Sequence, residues 1–403
     1  MAVGLRAPAR LYPVQGLRLG ALRCGIKANR QVKDLALVEI QPGSSVAAVF
    51  TRSHFCAAPV ILCKQHLALQ PSARYLLVNS GNANAATGQQ GLDNARSCCA
   101  AVAAAGNVKV EDVLPFSTGV IAEQLAVEPI VGAIPDLVDM LDPDGWLSTA
   151  EAIMTTDTLP KAISVQLNID DRPVTITGIA KGSGMIKPDM ATMLCFVGTD
   201  ARIEPQELSE MLDLLVASSF NCITVDGDTS TNDSCVLIAT GAADVKVDRN
   251  HRVFFDALQE LFEKLAQAII RDAEGATKFV TVSIEGAVSV ADARCMGFTI
   301  AESPLVKTAL FASDPNWGRF IMAIGRSPVE SIDIDRIDLY LGAVRLLHNG
   351  LPDPDYRETL GQAEMSRDEI SISVNLNLGD ASARIWTSDL SYEYVKINAE
   401  YRS

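Results

Sequence analysis

The stretch KGSGMIKPDMATMLCF, residues 181–196, sets Lys181, two glycines and Pro188 just ahead of a short apolar run containing Thr192. A threonine hydroxyl is a weak nucleophile until a base removes its proton. One such base needs no second side chain. Scission of the bond between Ala191 and Thr192 would give Thr192 a free α-amine, and an ordinary pKa of about 8 suits that amine to deprotonate its own hydroxyl. A nearby lysine ammonium would lower the amine's pKa further by charge repulsion. The hydroxyl can also perform the scission by attacking the preceding carbonyl. That step asks for a tightly held loop and a small residue at the carbonyl; Gly182, Gly184 and Pro188 offer the first and Ala191 the second. By spacing alone the run reads first as a buried strand, and the chemistry is the second reading.

Three further segments carry polar residues in suggestive order. FSTGVIAEQL, residues 116–125, puts Ser117-Thr118-Gly119 before what reads as an apolar helix start. Free backbone N–H groups at such a turn hold either a capping side chain or a developing oxyanion. VNSGNANAATG, residues 78–88, is a strand followed by a turn rich in Asn and Gly. DGDTSTNDS, residues 226–234, places Asp226, Asp228, Ser230 and Asn232 on a calcium-loop count, but Thr231 stands where glycine is required and Leu237 where the closing glutamate belongs. It reads as a self-bonding polar loop that could line a site. None of the histidines 54, 66, 251 and 348 falls in a metal-binding pattern, and there is neither a nucleophile elbow nor a phosphate loop.

The elements that must position these residues mix both periods. LALVEI, VAAVF (46–50) and YLLVNSG (75–81) read as strands, and LDNARSCCAAVAAAG (92–106) as a helix. EPIVGAIPDLVDML (128–141) reads as helical with a break at Pro135. Residues 161–180 read as a hairpin turning at 170–173. Strands over 192–199, 221–227, 233–240 and 278–287 alternate with helices over 205–220 and 251–276. YEYVKIN (392–398) reads as a last strand. Strands pairing with strands and helices in blocks predict an α+β fold.

The chain of 403 residues has 48% hydrophobic and 21% charged residues, a globular balance. Its net charge of −15 disfavours nucleic acid as a partner, although a local basic patch is compatible with it. No apolar run reaches the ~18 residues of a membrane span. Nine cysteines without a C-x-x-C pair fit unpaired thiols in a reducing compartment, so the expected location is cytoplasmic. The first 33 residues are basic, but lack Ser and Thr and run straight into strand-like sequence, which argues against a transit peptide.

KGSGMIKPDMATML closely resembles the signature of the ornithine acetyltransferase family, the self-cleaving enzymes of arginine biosynthesis. GIKANRQVKDLALVE, VFTRSHFCAAPV, VNSGNANAATG, FSTGVI, MTTDT (154–158), VDGDTSTND, DAEGATK (272–278), SDPNWGR (313–319) and INAEYRS match family blocks in family order. The resemblance implies a two-lobed α+β fold of N-terminal-nucleophile type, with strands sandwiched between helix layers. It implies cleavage between Ala191 and Thr192 into an α chain, 1–191, and a β chain, 192–403, retained in an α2β2 heterotetramer. Carried over, Thr192 is the nucleophile, and Thr118 and Gly119 form the oxyanion hole. Thr155, Lys181, Thr192, Glu274, Asn398 and Ser403 contact the substrate. Ala122 stands where the family pattern suggests glycine. The implied reaction passes acetyl from N2-acetylornithine to L-glutamate, with acetyl-CoA as a second donor in bifunctional members, and needs neither cofactor nor metal. A monofunctional acetyltransferase and a related self-cleaving aminopeptidase are the alternatives.

Overall fold

The computed structural model describes residues 2–8, 10–27, 31–187 and 193–400. They form two compact units: one of Ala7–Asn221 with Thr229–Ile269, the other of Met1–Arg6, Cys222–Asp228 and Ile270–Ser403.

In the first unit two sheets stack. One has the order β1 (Leu17–Leu22), β2 (Leu35–Ile40), β4 (Tyr75–Asn82), β5 (Val113–Val120). The other has the order β3 (Ser45–Phe50), β10 (Ser234–Ala239), β8 (Leu194–Thr199), β7 (Arg172–Lys181), β6 (Lys161–Ile169). Side-chain alternation along a strand decides what each face meets. Ala36, Val38, Leu76 and Val78 point into the sheet-to-sheet core, where they meet Leu194, Phe196, Val236 and Ile238. Phe116 and Phe196 cross edge-to-face there with centroids 5.0 Å apart, an arrangement worth about 0.5–1.5 kcal/mol beyond burial. The intervening Leu35, Leu37, Tyr75 and Leu77 fill a second core with residues of α2 (Gly88–Gly106) and α3 (Val127–Asp139). α1 (Ala58–Leu69) packs on β5 and α4 (Trp146–Ala152) on β1. On the far side, α5 (Pro205–Ser218) packs on β3 and β10. α6 (Arg252–Arg271) comes so close to β7 that a Cβ on Gly178 would lie 3.0 Å from Leu261 and Leu265. The layering is helix, sheet, sheet, helix, as expected.

The second unit has one seven-stranded sheet. Its order is β14 (Leu351–Pro352), β13 (Val344–His348), β12 (Asp338–Leu341), β15 (Glu369–Asn375), β11 (Phe279–Ala287), β16 (Ala381–Ser388), β9 (Ile223–Thr224). α7 (Val290–Ala301) lies on β11 and β16; Gly297 permits this, because a Cβ there would sit 2.7 Å from Ile385 Cγ1. α8 (Pro304–Ala312) and α9 (Gly318–Gly325) pack beside α7, and α10 (Glu358–Met365) beside β13. α11 (Tyr392–Ala399) follows β16.

Five local expectations are corrected. YEYVKIN is the helix α11: Ser391 caps it by accepting from Tyr394 N, and Tyr392 and Val395 are exposed, so no strand face is buried. FSTG starts no helix, because residues 113–120 are strand β5 and α3 begins at Val127. α3 runs unbroken through Pro135, since buried Ile130, Ile134 and Leu137 keep one apolar stripe against the sheet. Only Ile223–Thr224 of 221–227 is strand, after a 3-10 turn at Phe220–Cys222. The 161–180 hairpin turns on two residues: Asp170 and Asp171, at φ +50° and +60°, form the connection, so Arg172 and Pro173 already belong to β7.

Ala122, exposed after β5, sits at φ +66°, a left-handed conformation that costs an L-residue with a Cβ roughly 1–2 kcal/mol. A glycine there would relieve it. Ala122→Gly is therefore expected to raise stability by roughly 0.5–1 kcal/mol in urea unfolding, the unfolded chain's gain in freedom cancelling the remainder.

Candidate functional site

The sequence-predicted residues Thr118, Gly119, Thr155 and Lys181 belong to the first unit, and Glu274 and Asn398 to the second. Ala191, Thr192 and Ser403 lie outside the described residues.

β4 and β5 are parallel neighbours, and their last residues pair Ser80 with Thr118 and Gly81 with Gly119. Gly119 has φ +134°, and a Cβ on it would fall 2.3 Å from the carbonyl carbon of Gly81, so no other residue fits. A chain of amides holds this strand end. Asn232 Nδ2 donates to Ala83 O at 2.6 Å and to Ser117 O at 2.9 Å. Ser117 Oγ donates to Asn79 Oδ1 at 2.6 Å, and Asn79 Nδ2 to Asn82 O at 2.9 Å. The polar loop 226–234 thus contributes Asn232 as a brace for the strand carrying Thr118. Among the described residues no group of three or more His, Cys, Asp or Glu side chains is arranged to hold a metal.

Lys181 ends β7 and is buried; its Nζ donates to Thr118 Oγ1 at 3.3 Å. That hydroxyl accepts from the ammonium, so its own hydrogen is available to another acceptor. Behind it lies Asp157. Its Oδ1 accepts from Lys161 Nζ at 2.6 Å and from Gly182 N at 2.8 Å, and its Oδ2 accepts from Thr155 N at 3.0 Å. Both charged side chains of the Asp157–Lys161 pair are fully buried. Burial by itself would raise the Asp157 carboxyl, but the ammonium of Lys161, then that of Lys181, and the Gly182 N–H hold it well below the usual carboxylate range. Lys27 adds a third ammonium nearby. Burial pulls it down to about 8, with Asp34 and then Asp157 opposing and Lys181 assisting. Its loop is fixed by Asp34, whose carboxylate accepts the N–H groups of Cys24, Gly25, Ile26 and Lys27 at 2.7–3.1 Å. This arrangement can bind an anion and can direct hydroxyl and backbone donors at developing negative charge.

In the second unit the sign is reversed. Asn398 Nδ2 donates to Glu274 Oε2 at 2.7 Å and to Tyr394 O at 3.0 Å. Tyr394 Oη donates to Asp226 Oδ2 at 3.1 Å. Glu274 is 7% exposed, so an ammonium meeting it is attracted by a poorly hydrated carboxylate.

A model of the ArgJ family matches residues 18–403. The chain belongs to the ArgJ family. Two relatives called "Arginine biosynthesis bifunctional protein ArgJ" are each 50% identical. That of Pseudomonas syringae pv. tomato aligns over 408 residues, all of both chains. That of Methylococcus capsulatus covers 98% of this chain and 97% of its own. A solved arginine biosynthesis bifunctional protein argJ from Bacillus halodurans is 42% identical with a TM-score of 0.50; the likeness covers 52% of this chain and 100% of that one. No helix among the described residues is long and apolar enough to cross a membrane.

The sequence reading gave no site role to Asp157, Lys161, Lys27 or Asn79, and it noted Asn232 only on the calcium-loop count of the 226–234 loop. A signal existed for the first two: Asp157 and Lys161 are the lone charges in MTTDTLPKAISV. Asp157→Asn leaves Lys161 buried and uncompensated, so it is expected to lower stability by about 3–5 kcal/mol in urea unfolding at pH 7. The folded carboxyl lies below its unfolded value of about 3.9. Its contribution is present above that value and is lost as pH falls through the folded one, so the gap between wild type and variant should close only under acid, below about pH 4.

Proposed function

We propose that this member of the ArgJ family moves an acetyl group from N2-acetylornithine to L-glutamate by way of an ester on Thr192, and that acetyl-CoA serves as a second donor. The full-length likeness to proteins called bifunctional ArgJ carries this reading. The enzyme is an acyltransferase of arginine biosynthesis, and we assign it to the cytoplasm as an α2β2 assembly without cofactor.

The chain first cuts itself. The Thr192 hydroxyl attacks the Ala191 carbonyl, the acyl group shifts from nitrogen to oxygen, and water opens the ester. Residues 1–191 and 192–403 separate covalently, but β7 and β8 on either side of the cut remain paired from Ile176–Lys181 to Thr199–Leu194. Those hydrogen bonds are a reason for both chains to stay together. The Bacillus halodurans chain, matched in full by 52% of this one, is consistent with a product of about half length.

In the transfer, the freed amine of Thr192 takes the hydroxyl proton and the oxygen attacks the acetyl carbonyl. The oxyanion faces the Thr118 hydroxyl and the Gly119 N–H, and collapse expels ornithine, whose nitrogen takes the proton. Glutamate's amine then attacks the ester and restores Thr192. An amide is exchanged for an amide, so no external energy source is required. Leu194, two positions after Thr192, is the strand partner of Lys181, which supports a nucleophile close to that ammonium. Lys181 takes the substrate carboxylate, with Thr155 beside it. Glu274 and Asn398, with Ser403 of the tail, take the side-chain ammonium.

Mass spectrometry of the purified protein is expected to show two chains, one beginning at Thr192, in place of a single 43.1 kDa species. Thr192→Ala should remain uncut and inactive, and Thr192→Ser should keep some processing because a hydroxyl remains. An uncut wild type that transfers acetyl groups would refute the mechanism.

A further inference from the structure

Tyr394 and Asn398 stand four residues apart on α11, and side chains at that spacing leave a helix on one face. The helix start is locked to the Glu274 turn. Ser391 Oγ accepts from Tyr394 N at 3.3 Å and donates to Gly275 O at 2.6 Å. Gly275 has φ +67°, and a Cβ there would lie 2.5 Å from the Tyr394 nitrogen. The face of α11 is therefore held against two carboxylates at once: Asn398 donates to Glu274, and Tyr394 donates to Asp226.

Burial first, then Asp226, Glu274 and Asp228, push the Tyr394 phenol well above its ordinary value. It remains a proton donor throughout the working range of pH. Lys307 of α8, buried and bonded to Thr387 Oγ1 at 3.0 Å and to Ser388 O, is a cation whose charge Asp389 and then Asp226 meet.

The two amino acids of the proposed reaction differ in side-chain charge. Ornithine presents an ammonium and glutamate a carboxylate, so a wall that favours one by charge cannot favour the other in the same way. Asn398 donates to Glu274, while the Asp226 carboxylate accepts from the Tyr394 hydroxyl at Oδ2 and from the Asp228 N–H at Oδ1, 3.2 Å, so the phenol is a side-chain donor that turns Oδ2.

We propose that Tyr394 is a positioning residue that sets substrate charge preference: its hydroxyl keeps the Asp226 carboxylate turned with Glu274 toward the side-chain ammonium of the ornithine-type substrate. This rests on the reading that Glu274 meets that ammonium. Glutamate gains nothing from the pair.

The test is steady-state kinetics of mature Tyr394→Phe, which keeps the ring and removes the hydroxyl. A hydrogen bond to a charged group supports an effect of about tenfold. The KM for N2-acetylornithine, and that for ornithine in the reverse direction, should rise by about tenfold. The KM for glutamate should stay within about twofold, with kcat changed far less than the ornithine KM. Asp226→Asn should shift the same constants in the same direction, and it carries the test if the phenylalanine variant fails to fold. Equal shifts for ornithine and glutamate would mean a merely structural role and overturn the proposal, as would no shift in either. A wild-type enzyme unable to use N2-acetylornithine would instead overturn the function itself.

Discussion

The buried carboxylate of Asp157 is the constraint around which the first unit's site is organised. A charge removed from water costs several kcal/mol unless partners replace the lost hydration. Here they come from three places: Lys161 at the start of β6, the Gly182 N–H just past β7, and the Thr155 N–H of the MTTDT segment. Satisfying one carboxylate thus fixes the segment before the hairpin against the residue following its return strand. Lys181 is the neighbour of Gly182, so the same constraint sets where its ammonium emerges to meet Thr118.

The two units carry opposite local charge. Lys27, Lys161 and Lys181 gather around Asp157 in one, while Glu274 and Asp226 are engaged by Asn398 and Tyr394 in the other. A net charge of −15 described neither, because it averages over a surface, whereas a substrate responds to the few poorly hydrated charges it meets.

Much of the fold was legible where short apolar runs stand between turn signals. LALVEI and YLLVNSG are strands whose alternate residues serve two different cores, so both faces are buried and the residues run apolar without interruption. Reading failed where a single contact outweighs local preference. YEYVKIN has strand-forming residue types, yet the Ser391 cap and the locked Gly275 turn make it helical. FSTG resembles a helix start, yet Ser117, Thr118 and Gly119 continue a strand because β4 runs alongside them.

The site was legible unevenly for the same reason. Thr118, Gly119, Lys181, Glu274 and Asn398 sit in blocks that resemble a family and could be carried over one by one. Asp157 and Asn232 lie in such blocks too, but their parts show only through partners that folding brings near: Asp157 accepts from Gly182, 25 positions on, and Asn232 reaches Ser117 across 115 positions of sequence. Tyr394 was hidden twice over, since a strand would have sent it and Asn398 to the same face for a different reason and with no acid to meet.

The central claim is that Thr192 itself carries the acyl group. It is tested most directly by mixing mature enzyme with N2-acetylornithine in the absence of glutamate, quenching in acid, and mapping the peptides. The account predicts one acetyl group on the peptide beginning with Thr192, labile to hydroxylamine as an ester is, and lost when glutamate is added before the quench. An enzyme that turns over while its acetyl group is found only on a lysine nitrogen, or on no residue at all, would contradict it.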